Sequence, residues 1–263
     1  MGLVDTTIVS VQDIHKRFGE NNVLQGATIS FPKGKITAII GQSGTGKSVL
    51  IKTIIGVLTP DRGQIFYEGE EITAASPERR RMIRRNFGYL FQDSALFDSM
   101  NVYDNIAFPL VETLRMKDKR KIRRIVEEKL EWIGLPGIER KLPAELSGGM
   151  RKRVGLARTL ALQPSVLLFD EPTTGLDPVL SESINDLIVR VNQEFGITCI
   201  LITHDIQATF RISDYIGFLY DGVIQEEGIP GDLVGAEHPV LKKFIDNSFS
   251  APLEVEVQPC PDI

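Results

Sequence analysis

Apolar residues in this chain come in short blocks, each closed by a polar or glycine-rich stretch. Ile36 to Ile40, Ser165 to Phe169 and Thr198 to Ile202 each read as a buried strand, and Phe87 to Phe91 is a short apolar run ending at Gln92. Ile8 to Phe18 and Val23 to Phe31 read as two further strands, with a turn at Asn21-Asn22 between them and Gly26 as a bulge. Pro32-Lys33-Gly34 is a tight turn, and Gln64 to Tyr67 is a short strand ending at Glu68-Gly69. The early strands predict antiparallel β structure around the front of an α/β core. Helices are expected over Val49 to Ile55, Pro77 to Arg85, Arg151 to Ala161, Pro178 to Glu194 and Pro239 to Asn247, with Pro178 suited to a first helical turn. In Asp118 to Trp132 the residues Ile122, Ile125, Val126 and Leu130, followed by Ile133, recur near helical spacing. Asp221-Gly222, between Tyr215–Tyr220 and Val223–Glu227, signals a hairpin. The pattern therefore predicts one unit over residues 1–248, with a mainly helical insertion over about 94–161, and a polar, acidic tail over 249–263.

Composition narrows the class. The 263 residues, 42% hydrophobic and 25% charged, fit one α/β domain with a subdomain. A net charge of −5 argues against nucleic acid held by overall charge. No apolar run approaches the roughly 18 residues that span a bilayer, and Met1 to Gln12 lacks a secretory pattern. Cys199 lies in an apolar run and Cys260 in the Pro-rich tail, a spacing that suits neither a metal site nor a disulfide framework. Two basic clusters, Arg79 to Arg85 and Lys117 to Arg124, read first as solvated helix faces and second as an approach to anionic headgroups.

The candidate chemistry begins after the first buried strand, at Gly41-Gln42-Ser43-Gly44-Thr45-Gly46-Lys47-Ser48. Strand, glycine-rich turn, then Gly-Lys-Ser opening a helix is the context of a phosphate-binding loop. Glycines let several backbone N–H groups point inward, and the helix start adds unsatisfied donors and partial positive charge. Lys47 would reach the β- and γ-phosphates of ATP, and the Ser48 hydroxyl would ligate Mg²⁺. Asp170 and Glu171 end another buried strand, where open α/β sheets bind ligands. Asp170 would hold Mg²⁺ directly or through water, and Glu171, one residue on, can face an attacking water.

Leu146-Ser147-Gly148-Gly149-Met150, followed by Asp170-Glu171-Pro172 and His204, resembles the ATP-binding subunits of ABC transporters over roughly Ile8 to Asp246. The resemblance implies a P-loop NTPase (RecA-like) α/β core with an antiparallel β subdomain and a helical insertion. It implies that Phe18 stacks on adenine, that Gln92 joins the Mg²⁺ and water site to the insertion, and that His204 contacts the γ-phosphate. Ser147, Gly148 and Gly149 would form a second cradle that closes over ATP held by another copy, so that two chains sandwich two ATP molecules head to tail. Asp177, in Thr174-Gly175-Leu176-Asp177, matches the loop linking the two sites. Met150 stands where many relatives have Gln and cannot donate the same hydrogen bonds. His15 and His238 have no comparable context.

A closer resemblance is to the ATPases of Mce-type lipid transporters, including the system that maintains lipid asymmetry. It rests on Gln92-Asp93-Ser94-Ala95-Leu96-Phe97, Asn101 to Leu110, and Leu146 to Arg153. It implies integral membrane permease subunits, an Mce-type lipid-binding protein, a hydrophobic cargo such as phospholipid, and a place on the cytoplasmic face of the inner membrane. The alternative within the family is a small-solute importer for amino acids or metals. A soluble relative acting on DNA or in translation fits poorly with one ATPase unit and negative charge. A non-hydrolysing regulator fits poorly with Lys47, Asp170, Glu171 and His204 all present. Gln92 to Leu114 reads either as a groove for a permease helix or as internal packing of the insertion.

Overall fold

The computed structural model describes residues 7–249; Cys260, the tail beyond Phe249 and the first residues of the N-terminal stretch lie outside them. In chain order the elements are β1 (Thr7–Phe18), β2 (Asn21–Pro32), β3 (Ile36–Ile40), α1 (Lys47–Ile54), β4 (Arg62–Tyr67), β5 (Glu70–Glu71), α2 (Pro77–Arg84) and β6 (Phe87–Leu90). Then come α3 (Val102–Glu112), α4 (Lys119–Trp132), α5 (Gly148–Leu160), β7 (Val166–Asp170), α6 (Pro178–Phe195), β8 (Thr198–Ile202) and α7 (Ile206–Ile212). The last are β9 (Tyr215–Tyr220), β10 (Val223–Gly228), α8 (Pro230–Leu233) and α9 (Pro239–Ser248).

Two sheets form. An antiparallel one runs β2-β1-β4-β5, and a mixed one runs β10-β9-β3-β8-β7-β6, parallel from β9 to β6. The central strands are apolar on both faces because both are covered. Successive side chains alternate: Val166 and Leu168 join the antiparallel sheet and α1 in one core, whereas Leu167 and Phe169 join α5 and α6 in another. A third cluster packs α3, α4 and α5 on one another through Val102, Ile106, Leu110, Val126, Leu130 and Val154. A fourth lies under α7, α8 and α9.

Most expected elements form, with informative shifts. The turn after β1 falls on Gly19-Glu20 rather than Asn21-Asn22, because Gly19 adopts φ 58 and Phe18 pairs directly with Asn21. Gly26 is skipped between the pairs Ile14↔Ala27 and His15↔Gln25, the expected bulge. Asp221 (φ 48) and Gly222 (φ 75) make the expected hairpin turn. Helix α5 begins earlier than its apolar spacing implies, since Ser147 caps it, its side chain accepting from Met150 N at 3.3 Å. Helix α7 was not expected; Asp205 caps it, accepting from Ala208 N at 3.0 Å. Cys199 is fully buried, and burial pushes its thiol pKa up, as a small core residue requires.

Candidate functional site

The parallel strands β3, β8, β7 and β6 are neighbours, and each ends at the same edge of the sheet. The residues just past those ends are the phosphate loop, His204, Glu171 and Gln92 respectively. Sheet order thus gathers positions far apart in sequence at the edge where such sheets bind ligands.

The loop after Ile40 needs glycine at both of its ends. A Cβ on Gly41 would lie 2.3 Å from the Leu219 carbonyl oxygen. Gly46, at φ 99, caps α1, and a Cβ there would lie 2.9 Å from Val23 Cγ1. No side chain caps α1, so its first amides remain available to a ligand. Ser43 and Gly44 are exposed at the loop's tip, and the Thr45 hydroxyl donates to Gln42 O at 2.9 Å. Lys47 is buried, and its ammonium donates to Gly41 O and Gln42 O, each at 2.8 Å. Burial lowers its pKa, opposed by the charges of Glu171 and Asp170.

Asp170 is held at both oxygens. The Ser48 hydroxyl donates to Oδ1 at 2.9 Å and the Tyr89 phenol to Oδ2 at 2.7 Å. Burial, then the hydrogen bond to Asp170, pushes the Tyr89 pKa far up, so the phenol keeps its proton. Glu171 turns away from the strand at φ 51, while its N–H donates to Ile202 O at 2.9 Å. Its Oε2 accepts from the Thr174 hydroxyl at 3.0 Å and meets His204 Nδ1 at 2.7 Å. That contact occupies Nδ1 of His204 and leaves Nε2 without a hydrogen-bond partner among the described residues.

Other expected site residues stand apart. Gln92 is exposed and makes no hydrogen bond to Ser48 or Asp170. Phe18 is exposed at the end of β1, with Lys16 Nζ 5.6 Å from its ring centroid. Ser147, Gly148 and Gly149 open α5, with no hydrogen bond to the phosphate loop. Asp177 caps α6, accepting from Leu180 N at 3.0 Å. Met150 packs against the helical cluster, a use for its apolar chain that hydrogen bonding would not predict. Sequence reasoning missed Tyr89, Thr174 and Lys152. Lys152 is buried and donates to Pro172 O at 2.5 Å and Thr174 O at 2.9 Å, tying α5 to the loop after Glu171. The signal for Lys152 was a cation one helical turn behind Ser147-Gly148-Gly149.

Within and beside the stretch Gln92 to Leu114, burial is mixed. Val102, Ile106 and Leu110 are buried in the insertion, whereas Phe97, Val111 and Leu114 are exposed, as is Phe91 just before the stretch. A hollow of ≈ 410 Å³ is walled by Tyr89, Phe91, Phe97 and Phe108. A second hollow, ≈ 560 Å³, shares Phe87, Tyr89 and Leu162 with it and adds Arg81, Arg84, Arg85 and Arg115.

The donor set suits Mg²⁺. Among the described residues no group of three or more His, Cys, Asp or Glu could hold a metal. Ser48 and Asp170 instead offer two hard oxygens in contact, which is how Mg²⁺ is bound when substrate phosphates complete its shell.

A buried parallel sheet with a glycine loop at one strand end and a carboxylate pair at another defines a phosphate-loop nucleoside triphosphatase. Residues 24–174 match the ABC transporter family, and the chain belongs to that family, as its ATP-hydrolysing subunit. It is 41% identical to the "Probable ribonucleotide transport ATP-binding protein mkl" of Mycobacterium leprae, over 93% of this chain and 70% of that one. It is 37% identical to the intermembrane phospholipid transport system ATP-binding protein MlaF of Escherichia coli, over 94% of this chain and 91% of that one. A dimeric ATP-binding cassette solved in a post-hydrolysis state with ADP and Pi superposes with a TM-score of 0.77. It is 29% identical, over 84% of this chain and 98% of that one.

Proposed function

We propose that this ATPase powers the movement of phospholipid, or another hydrophobic molecule, across the cell envelope. Residues 1–248 act as the ATP-binding unit, with the segment at about 94–161 as its helical subdomain. It works at the cytoplasmic face of the inner membrane, as two copies beneath permease subunits and an Mce-type protein. The observation that supports the cargo is the match to the phospholipid transport relative along nearly the full length of both chains. The mkl name points instead to ribonucleotides, and that protein extends further beyond the match.

The site geometry supports the following roles. Lys47 and the amides of Gly41 to Ser48 hold the β- and γ-phosphates, and Phe18 offers its exposed ring to adenine. Ser48 and Asp170 would hold Mg²⁺, which neutralises charge on the phosphates when bound; Gln92, which stands apart here, is assigned to that site by the family resemblance alone. Glu171 orients and deprotonates the attacking water, while Thr174 fixes one of its oxygens. His204, braced by Glu171, turns Nε2 toward the γ-phosphate. Ser147 to Gly149 of the second copy complete the site, and Asp177 links the two. The hollows beside Tyr89 receive a permease helix.

Purification from native membranes with an affinity tag tests the cargo. A permease with an Mce-type protein and bound phospholipid is expected. A solute-binding receptor without lipid would move the assignment to small-solute import, and bound ribonucleotide other than ATP to the mkl reading.

A further inference from the structure

One hydroxyl in the site has no part in the roles above. Tyr89 lies on β6, beside the strand that ends in Asp170. Asp170 is nearly buried, at 8% exposure, and its two oxygens accept from Ser48 on one side and Tyr89 on the other. The carboxylate cannot rotate without losing one of these bonds. Ser48 belongs to the phosphate loop. Tyr89 belongs to the groove, where its ring lines both hollows. The Phe91 ring, exposed on the groove wall, stands edge-on to the Tyr89 ring, with centroids 4.3 Å apart at 64°. A contact made on Phe91 is therefore two rings from the carboxylate, and one made on Tyr89 is one ring from it.

We infer that Tyr89 is a positioning residue for the divalent cation: its phenol sets the Asp170 carboxylate, and its ring makes that setting answer to what fills the groove. The inference rests on the reading of Asp170 as the metal carboxylate and adds a residue and a route to it. A tyrosine kept only to fill space would be replaced by phenylalanine without consequence. A hydrogen-bonded partner of a metal-holding group would not, since losing such a partner weakens metal binding by about 10- to 100-fold.

The test uses the full chain, ADP as a stable nucleotide and Mn²⁺ as the probe, with bound Mn²⁺ read by electron paramagnetic resonance. Tyr89→Phe is expected to weaken Mn²⁺ binding about tenfold, while metal-free ADP affinity stays as in the wild type. Unchanged Mn²⁺ affinity overturns the inference. A melting temperature that falls together with metal-free ADP affinity also overturns it, since the phenol would then be structural. Phe91→Ala carries the second half. It is expected to weaken Mn²⁺ binding in the wild-type chain and to add nothing in the Tyr89→Phe background. An equal effect in both backgrounds breaks the link to the groove. A wild-type chain that takes up no Mn²⁺ with ADP would instead remove the metal reading of Asp170.

Discussion

Glu171 adopts φ 51, a left-handed conformation that costs a non-glycine residue energy. The turn swings its carboxylate out of the strand's line toward His204 and Thr174, away from Asp170, which stays on Ser48 and Tyr89. Two adjacent acids thus acquire separate partners and separate roles. Glu171→Gln keeps the shape and can still bond Thr174, but it cannot take a proton. ATP binding should stay within a few-fold of wild type, while phosphate release falls by about 10²- to 10⁴-fold. A radiolabelled phosphate assay beside equilibrium binding separates the two, and hydrolysis at the wild-type rate would dismiss Glu171 as the base. The pair Asp170-Glu171 was legible because it follows an apolar run. Tyr89 and Thr174 were not, since a Tyr inside an apolar strand and a Thr in a loop are ordinary residues until pairing brings their hydroxyls to a carboxylate.

Among the elements, α3 shows how one buried polar side chain can serve a surface. Asn105 is fully buried; its Oδ1 accepts from Phe97 N at 2.8 Å, and its Nδ2 donates to Phe97 O, Met100 O and Asn101 O at 3.1, 2.9 and 3.0 Å. It stitches the loop carrying Phe97, a wall of the groove, onto the helix. Asn105→Ala takes the side-chain partner from Phe97 N and Met100 O, while Phe97 O and Asn101 O keep the N–H groups of Met100 and residue 105, so unfolding free energy should fall by about 1–3 kcal/mol. Urea denaturation measures it, and nucleotide binding by the folded variant should persist because the phosphate loop lies on another element. Helix positions were legible from periodicity, but α7 was not. Its seven residues are too few to establish a period, and the Asp205 cap sits within Thr203-His204-Asp205, a stretch already explained by its chemistry.

For the molecule as a whole, the phosphate loop, Asp170, Glu171 and His204 converge, while Ser147 to Gly149 make no hydrogen bond with the loop. Such a chain binds nucleotide on one side and offers a helix start on the other, and the structural relative is a dimer. Ser147→Asp tests whether that helix start meets nucleotide on a second copy. Asp still caps a helix well, so α5 should fold, but its charge would face phosphate. In the Glu171→Gln background, ATP is expected to drive dimerisation of the chain and the added Ser147→Asp to abolish it, by light scattering. ATP affinity of the monomer should be unchanged. A dimer that survives the added charge would exclude this helix start from the interface.

The sequence by itself determined what local chemistry can specify. Glycines and Lys47-Ser48 after an apolar strand mark a phosphate loop, acids after another mark its partner, and spacing marks most helices. These signals are local because backbone freedom, burial and capping act over a few residues. The tertiary structure decided which strands are neighbours, and with that which hydroxyls reach Asp170, where Glu171 points and which face of α3 stays open. Those outcomes depend on pairing between segments far apart in the chain, as when Ile36 of β3 meets Cys199 of β8 and Phe87 of β6 meets Val166 of β7. No window of sequence contains them.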